Sequence, residues 1–286
     1  MSDDLNTPKI SRLTVFPLKS LDPLEQRQVR ISDGGVLNWD REYAIYDGPT
    51  EDPYNPDTAS ALGDGAYING KRTAAIHRLR SSFDPEARMV TLRRQGETEA
   101  HTFDLDNPAK LNEWLSEYFG QPASVRRAPA GGHPDYRRHG ISGPSVVSTA
   151  TLQEVASWFD RLNTNEIRRR VRANIEIDGT PPFWEDRLYA DQGEAVAFRV
   201  GDVQLNGVEP CERCIVPTRD PRSGNKHNGF RETFIRKRRE TRPEWLDSTR
   251  FDHDFRLMVI TDVPESEWGQ TIQIGDSVEV FGTRPH

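Results

Sequence analysis

Two stretches near the C-terminal end alternate apolar and polar residues around a Gly-Asp pair, and they constrain the fold more than any other feature. The first is AVAFRVGDVQLNGV (195–208) and the second is TIQIGDSVEVFG (271–282). Alternation at period two is typical of strands with one buried face, and a short Gly-containing turn between two such runs indicates a hairpin. We therefore predict a β-hairpin at each stretch.

Strand-like segments also occur earlier, in ISRLTVFPLKS (10–20), in EYAIYDG (42–48) and on both sides of DPEA (84–87), where a hairpin is expected. Two helices are predicted. One follows Asn107 as N-cap and ends at Gly120, and the other spans 151–162, with Thr151 opening a capping box. We expect a mainly β protein with a few helices (α+β) and a barrel-like or sandwich core.

Charge and cysteine content exclude several classes of protein. The chain has 286 residues and a formal net charge of −7, which is not typical of a general nucleic-acid binder. It has no apolar run of about 18 residues, so no membrane-spanning helix is expected. The first residues, MSDDLNTPK, are polar and lack an apolar signal region, and two cysteines indicate a reducing compartment. We expect a soluble cytoplasmic protein without a membrane or nucleic-acid partner.

Both cysteines, Cys211 and Cys214, lie in VEPCERCIVPTRDPRSG (208–224). A structural zinc site needs four ligands, and the chain has two cysteines. A thioredoxin-like pair needs its first cysteine at a helix N-terminus, whereas the residues IVPT (215–218) favour an extended segment. The pair can also be two buried small apolar residues. The charged residues around them favour an exposed strand-to-loop junction, where a thiolate beside Arg213 suits a metal that brings its own ligands. Residue chemistry alone leaves these alternatives open.

The same segment resembles the signature of the MOSC family, molybdenum-cofactor-binding proteins that include the mitochondrial amidoxime reducing component. Four further segments, in the family's order, are similar to its motifs: LTVFPLKS (13–20), WDREYAIYD (39–47), VRANIEIDGTPPFWED (171–186) and TIQIGDSVEV (271–280). The resemblance covers about residues 10 to 282. It implies an N-terminal β-rich domain over 1–130 and a β-barrel MOSC domain over 131–286, with the cofactor between them.

The resemblance implies a role for particular residues. Cys214 matches the family's thiolate ligand of molybdenum, and is the expected metal-binding and catalytic residue, while Cys211 is expected to be structural. Residues expected to bind the pterin and phosphate of the cofactor, Mo-molybdopterin, are Lys19, Ser20, Arg41, Arg172 and Asn174. Ser142, in GISG (140–143), matches a cofactor-contacting loop, although the family's loop is acidic and hydroxyl-rich. For Glu185 and Asp186 a hydrogen-bonding role and a direct role both stay open.

The function implied by the resemblance is reduction of a small N-hydroxylated or N-oxide compound by two-electron oxygen removal at molybdenum. Electrons would come from a separate protein of the ferredoxin, flavoprotein or cytochrome type, since the chain has no ferredoxin-type cysteine cluster. The alternative is a non-enzymatic carrier of the cofactor or of persulfide sulfur. Pyridoxal phosphate is not expected as a ligand.

The stretch FRETFIRKRRETRPEW (230–245) concentrates basic residues on a helical pattern. It is consistent with a solvated helix and also with a surface on which an acidic electron-donor protein docks.

Overall fold

The computed structural model describes residues 7–48, 66–128, 132–133, 143–243, 245–246 and 250–286. The described strands are β1 (Lys9–Val15), β2 (Leu24–Gln26), β3 (Gln28–Arg30), β4 (Tyr43–Asp47), β5 (Leu79–Asp84), β6 (Met89–Arg94), β7 (His101–Asp104), β8 (Ala123–Arg127), β9 (Ser145–Ser148), β10 (Ile175–Asp178), β11 (Glu194–Val200), β12 (Val203–Glu212), β13 (Arg256–Asp262), β14 (Thr271–Gln273) and β15 (Val278–Pro285). The described α-helices are α1 (Ala109–Phe119), α2 (Thr149–Ser157), α3 (Thr164–Val171) and α4 (Phe230–Glu240). The predicted mainly β protein with a few helices is confirmed.

The largest sheet has the strand order β15-β11-β12-β13-β9-β10-β1-β2. It therefore combines the first strands of the chain with strands from the C-terminal part. The smaller sheets pair β14 with β3 and β4 with β8, and place β6 between β5 and β7. The domain boundary near residue 130 stays a prediction.

One of the two C-terminal hairpins is confirmed and the other is wrong. Strands β11 and β12 pair through Val200 and Val203 across the predicted turn. In the second stretch, β14 pairs with β3 while β15 pairs with β11. The backbone of the turn between them bonds to β1 instead: Gly275 N donates to Ile10 O, and Ile10 N donates to Asp276 O, both at 2.9 Å. The two flanking strands thus diverge toward different partners.

Among the described residues, three large apolar clusters form most of the core, and a small fourth one joins Ala44, Tyr46 and Ala66. One lies against the large sheet and includes Leu13, Ile175 and Phe198, each fully buried. A second packs α2, α3 and α4 against the sheet, and a third lies under α1 and the strands β4 to β8. Among the described helices, none is long and apolar enough to cross a membrane.

The first residues of α1 and α2 differ from the predicted ones, because local hydrogen bonds determine the N-cap residues. The N-cap of α1 is Pro108, because the amide of Asn107 donates to Asp104. Helix α2 begins at Thr149 and is capped by Ser148, whose hydroxyl accepts from Thr151 N at 3.0 Å. Helix α3 was not predicted, although Asn163 and Glu166 form a complete capping box.

Candidate functional site

A cavity of about 880 Å³ lies where the turn after β1, the segment 69–80, the end of α3 and the segment 211–222 converge. Its walls contain every predicted cofactor-binding residue that the structure describes: Lys19, Ser20, Arg41, Arg172, Asn174 and Cys214. Ser142 lies outside the described residues. Residues from distant parts of the chain thus converge on one cavity, while their individual roles stay predictions.

Cys214 lies just beyond the end of β12, and its thiol is free and half-buried. Val216 N lies 3.4 Å from its sulfur and donates a hydrogen bond to it. That N–H opens a short 3-10 turn, Val216–Thr218, closed by the Thr218 hydroxyl donating to Ile215 O at 2.7 Å. The turn therefore positions a thiol on the cavity wall with one backbone donor directed at it.

Cys211 also lines the cavity but belongs to the interior, with 4% of its surface exposed. Burial raises the pKa of its thiol, and the nearby guanidinium of Arg213 opposes that rise. Arg213 Nη1 lies 3.4 Å from both Cys211 Sγ and Met258 Sδ, and Nη2 donates to Val171 O at 2.8 Å. Of the two cysteines, Cys214 is the more accessible.

Three predicted site residues have left-handed backbone conformations that non-glycine residues rarely adopt. The φ angles are 74° at Ser20, 52° at Arg41 and 58° at Arg172. Such conformations persist only where the surrounding structure holds them, and they occur preferentially at functional sites. Arg172 owes its conformation to the end of α3, where it is the C-cap residue. The clustering of these conformations marks the cavity as a built site.

The guanidinium groups of Arg41 and Arg172 both lie over the ring of Phe16, 4.8 and 4.0 Å from its centroid. Arg172 Nη1 donates to Leu21 O at 2.8 Å. Arg41 pairs with Asp40, whose other carboxylate oxygen accepts from Phe16 N at 2.9 Å. The apolar ring and these bonds fix two cations side by side at the cavity, which suits binding of an anion such as phosphate.

Lys19 and Ser20 follow β1 in a turn tied to neighbouring segments. Lys19 N donates to Tyr43 O at 2.8 Å, and its ammonium lies 5.1 Å from the centre of the Tyr67 ring. The hydroxyl of Ser20 accepts from Gly70 N at 3.4 Å. The ammonium of Lys19 is thus held at a buried position on the cavity wall.

Asn174 is buried and uses its side chain to join strands. Its Oδ1 accepts from the N–H and the hydroxyl of Ser145, at 3.1 and 3.0 Å. Its Nδ2 donates to Thr14 O at 3.0 Å. The amide therefore links β1 to β9 beneath the cavity, and this structural role was not predicted.

The cavity is strongly basic although the whole chain is acidic. Its described lining residues include twelve arginine and lysine side chains against five aspartate and glutamate side chains. The pKa of His77 is lowered by burial and by Arg172, Arg219 and Arg80, which surround it. An excess of cations in a concave site focuses a positive potential and attracts anionic ligands.

Several of these cations were missed by sequence reasoning, including Arg80, Arg170 and Arg219. The run RRRVR (168–172) has a charge density typical of a solvated face, yet Arg170 is 2% exposed and donates to Pro217 O at 2.9 Å. The available signal was helical spacing. Arg170 and Val171 lie three and four positions after the apolar Ile167, so all three residues fall near one face of α3, which is buried.

The residues present fit a metal group that brings most of its own ligands. In the described part of the chain, no cluster of three or more His, Cys, Asp or Glu is arranged to hold a metal ion. The cavity instead offers one accessible thiol, a soft ligand, beside a wall of cations. This donor set suits an anionic organic cofactor whose metal accepts a single protein thiolate.

Comparisons with known proteins match both parts of the chain to family models. Residues 135–279 match the family model for the MOSC domain, and residues 7–122 match that for the MOSC N-terminal beta barrel domain. A curated relative, the molybdenum cofactor sulfurase of Caenorhabditis elegans, is 22% identical over 247 residues, which cover 79% of this chain. The match spans only 31% of that relative's length.

One solved structure is also similar, the crystal structure of the YUAD protein from Bacillus subtilis. It has 13% sequence identity and a TM-score of 0.40, and the match covers 96% of each chain.

Proposed function

Because this chain belongs to the MOSC family, we propose that it binds the molybdenum cofactor in the cavity and reduces N-hydroxylated or N-oxide compounds by two-electron oxygen removal. The observation that carries the proposal is the half-buried thiol of Cys214 on the wall of a basic cavity. Lys19, Arg41 and Arg172 line the same cavity and supply charges for an anionic cofactor.

Each residue has a distinct task in this proposal. When bound, the cofactor would supply the molybdenum centre at which the N–O bond is reduced, with two electrons from a separate donor and two protons from solvent, so that the oxygen leaves as water. Cys214 would hold the metal through its sulfur, at which the N–H of Val216 is directed. Arg41 and Arg172 bind the phosphate, since guanidinium matches phosphate oxygens in pairs. Asn174 acts beneath them by holding β1 against β9.

The electrons come from a separate donor protein of the ferredoxin, flavoprotein or cytochrome type. Helix α4 carries exposed cations on which an acidic donor docks, among them Arg231 and Arg236. Because charge complementarity raises association rates at low salt, turnover with a protein donor should fall as salt rises, while turnover with a small artificial donor should not. Equal salt dependence for both donors would contradict docking on α4.

The second candidate is a non-enzymatic carrier of the cofactor or of persulfide sulfur. The similarity to a molybdenum cofactor sulfurase favours it. A carrier needs the reactive thiol of Cys214 but no substrate pocket.

Metal content and turnover separate the two candidates. The protein is purified from a host that makes the cofactor, molybdenum is measured by mass spectrometry, and reduction of an amidoxime is assayed with an artificial donor. We expect the wild type to contain stoichiometric molybdenum and to turn over. Cys214→Ser should lose both, and Cys211→Ser should retain turnover. Stoichiometric molybdenum without turnover favours the carrier. Bound zinc without molybdenum would contradict both candidates.

A further inference from the structure

Three cavity-lining arginines have no task assigned to them in the proposed function: Arg80, Arg170 and Arg219, here called the arginine arm. Arg170 Nη1 donates to the carbonyl oxygens of Pro217 and Arg219. These carbonyls belong to the 3-10 turn that positions Cys214 and to the residue just after it. The arm is therefore anchored to the same segment as the thiol.

The N-terminal part of the chain completes this wall. Arg80 Nη1 pairs with Asp22 Oδ1 at 2.9 Å, and Nη2 donates to the carbonyl oxygens of His77 and Pro221. A Cβ added to Gly70 would lie 2.8 Å from His77 Nε2 and 3.4 Å from a methyl of Val216. Segments 70–80 and 216–221 are thus packed against each other, and the arm is continuous with the surroundings of Cys214.

The charges of Arg170 and Arg219 are incompletely balanced by the protein, whereas Arg80 pairs with Asp22. Within the described residues, neither Arg170 nor Arg219 forms an ion pair with a carboxylate, and the Nε atoms of both are buried without a hydrogen-bond partner. The carboxylates of Asp220 and Glu166 attract Arg170 only from beyond ion-pair distance. Asp220 Oδ1 instead accepts from Arg222 N at 3.0 Å and from Ser223 N at 2.7 Å within its own loop. Keeping guanidinium groups together at a partly buried site is unfavourable unless an anion offsets their repulsion.

Resting on the proposed function, we propose that the arginine arm binds an anionic group of the substrate, a phosphate or a carboxylate. The substrates would then be N-oxygenated compounds with an anionic group, held so that the N–O bond faces the centre bound by Cys214. The planar, forked donors of arginine match the paired oxygens of either anion. Lys19, Arg41 and Arg172 serve the phosphate of the cofactor, so the two anions have separate cations.

The direct test is binding of inorganic phosphate, measured by calorimetry on the cofactor-loaded protein. We expect binding that Arg219→Gln weakens about tenfold, equivalent to about 1.4 kcal/mol. Arg93→Gln, which removes an exposed arginine outside the cavity, is the matched control and should bind phosphate as the wild type does. Arg222→Gln, at an exposed position of the same cavity rim, provides a second variant with little risk of misfolding and should weaken binding to a smaller extent.

Turnover gives the second test. With paired amidoximes that differ only in a carboxylate, Arg219→Gln should raise KM for the charged compound and leave that for the neutral one unchanged. Equal phosphate affinity of Arg219→Gln and Arg93→Gln would overturn the proposal. A second pair of results would also overturn it: the wild type stops binding phosphate once the cofactor is loaded, and Arg219→Gln contains less molybdenum. The arm would then hold the cofactor's own phosphate.

Failure of the proposed function is distinguishable from failure of the arm. A protein without molybdenum or turnover still permits the phosphate titration in its cofactor-free form, where weaker binding by Arg219→Gln supports an anion site at the arm. Conversely, the protein can reduce neutral and charged amidoximes alike while Arg219→Gln binds phosphate as the wild type does. That result would support the proposed function and contradict an anion-binding role for the arm.

Discussion

Arg238 and Asp186 form an ion pair in the interior of the protein, with side chains 1% and 4% exposed. Arg238 projects from α4, and its guanidinium lies 4.1 Å from the centre of the Phe183 ring. Its Nε and Nη1 have no hydrogen-bond partner in the described part of the chain. The basic run of α4 is therefore not one solvated face, since one of its arginines joins the helix to the core.

Removal of this arginine should strongly destabilise the fold. In Arg238→Met the carboxylate of Asp186 stays buried without its cation, and we expect the free energy of unfolding to fall by about 3–5 kcal/mol. Urea denaturation followed by circular dichroism measures the change. The control is Arg236→Met, which removes an exposed pair with Glu240 and should cost about 0.5 kcal/mol or less. The double variant with Asp186→Asn should recover much of the loss, and a single variant as stable as the control would contradict the prediction.

Glu185 should make stability fall as pH rises from about 5 to 8. Burial, and then the adjacent Asp186, raises the pKa of its carboxyl to about 8 from 4.5. The folded protein therefore keeps a proton that the unfolded chain releases in this window. The contribution of Glu185 to the free energy of unfolding is complete below pH 4.5. It is lost as pH rises toward 8, by at most about 1.4 kcal/mol per pH unit.

Unfolding of the wild type and of Glu185→Gln at several pH values tests this dependence. The glutamine keeps the shape of the side chain and the bond from Thr151, but it cannot ionise. The variant should gain stability relative to the wild type as pH rises. Glu240→Gln, at an exposed position, is the control. Parallel pH curves for wild type and Glu185→Gln would show that the carboxyl is ionised in the folded protein.

Local patterns predicted the strands but not always their partners. The hairpin at 195–208 was predictable because β11 and β12 pair across their own turn. The stretch 271–282 has the same pattern, yet its turn bonds to Ile10, and its strands pair with β3 and β11. Periodicity reports which face of a strand is buried, whereas the choice of a distant partner depends on packing across the whole sheet.

The residues of the cavity were likewise predicted from the sequence only in part. Lys19, Arg41 and Arg172 were identified by the family resemblance, and only the fold shows that they line one cavity. Arg170 and Asn174 owe their roles to partners 47 and 29 residues away. Nothing in the local sequence specifies such partners, although the position of Arg170 on the buried face of α3 was detectable.

Asn174→Ala should destabilise the cofactor-free protein. The change leaves Ser145 N–H and Thr14 C=O buried without the partners that the amide provides, and we expect a loss of about 2–4 kcal/mol. Urea denaturation of protein from a host without the cofactor measures it. Asn165→Ala, at an exposed position on α3, should cost about 0.5 kcal/mol or less. Unchanged stability of the Asn174 variant would show that its amide serves only a ligand.

The two thiols should differ in their reaction with iodoacetamide. In the folded, cofactor-free protein we expect alkylation of Cys214 to be faster by at least about tenfold, because its thiol is half-buried at the cavity. Cys211 is buried, and burial raises the pKa of its thiol, so less of the reactive thiolate forms there. Mass spectrometry of tryptic peptides after timed labelling measures both rates, and in urea the two should react alike. Equal rates in the folded protein would mean that Cys211 is as accessible as Cys214. The assignment of Cys214 as the single metal-binding thiolate would then lose its physical basis, because that assignment depends on one thiol facing the cavity while the other stays in the wall.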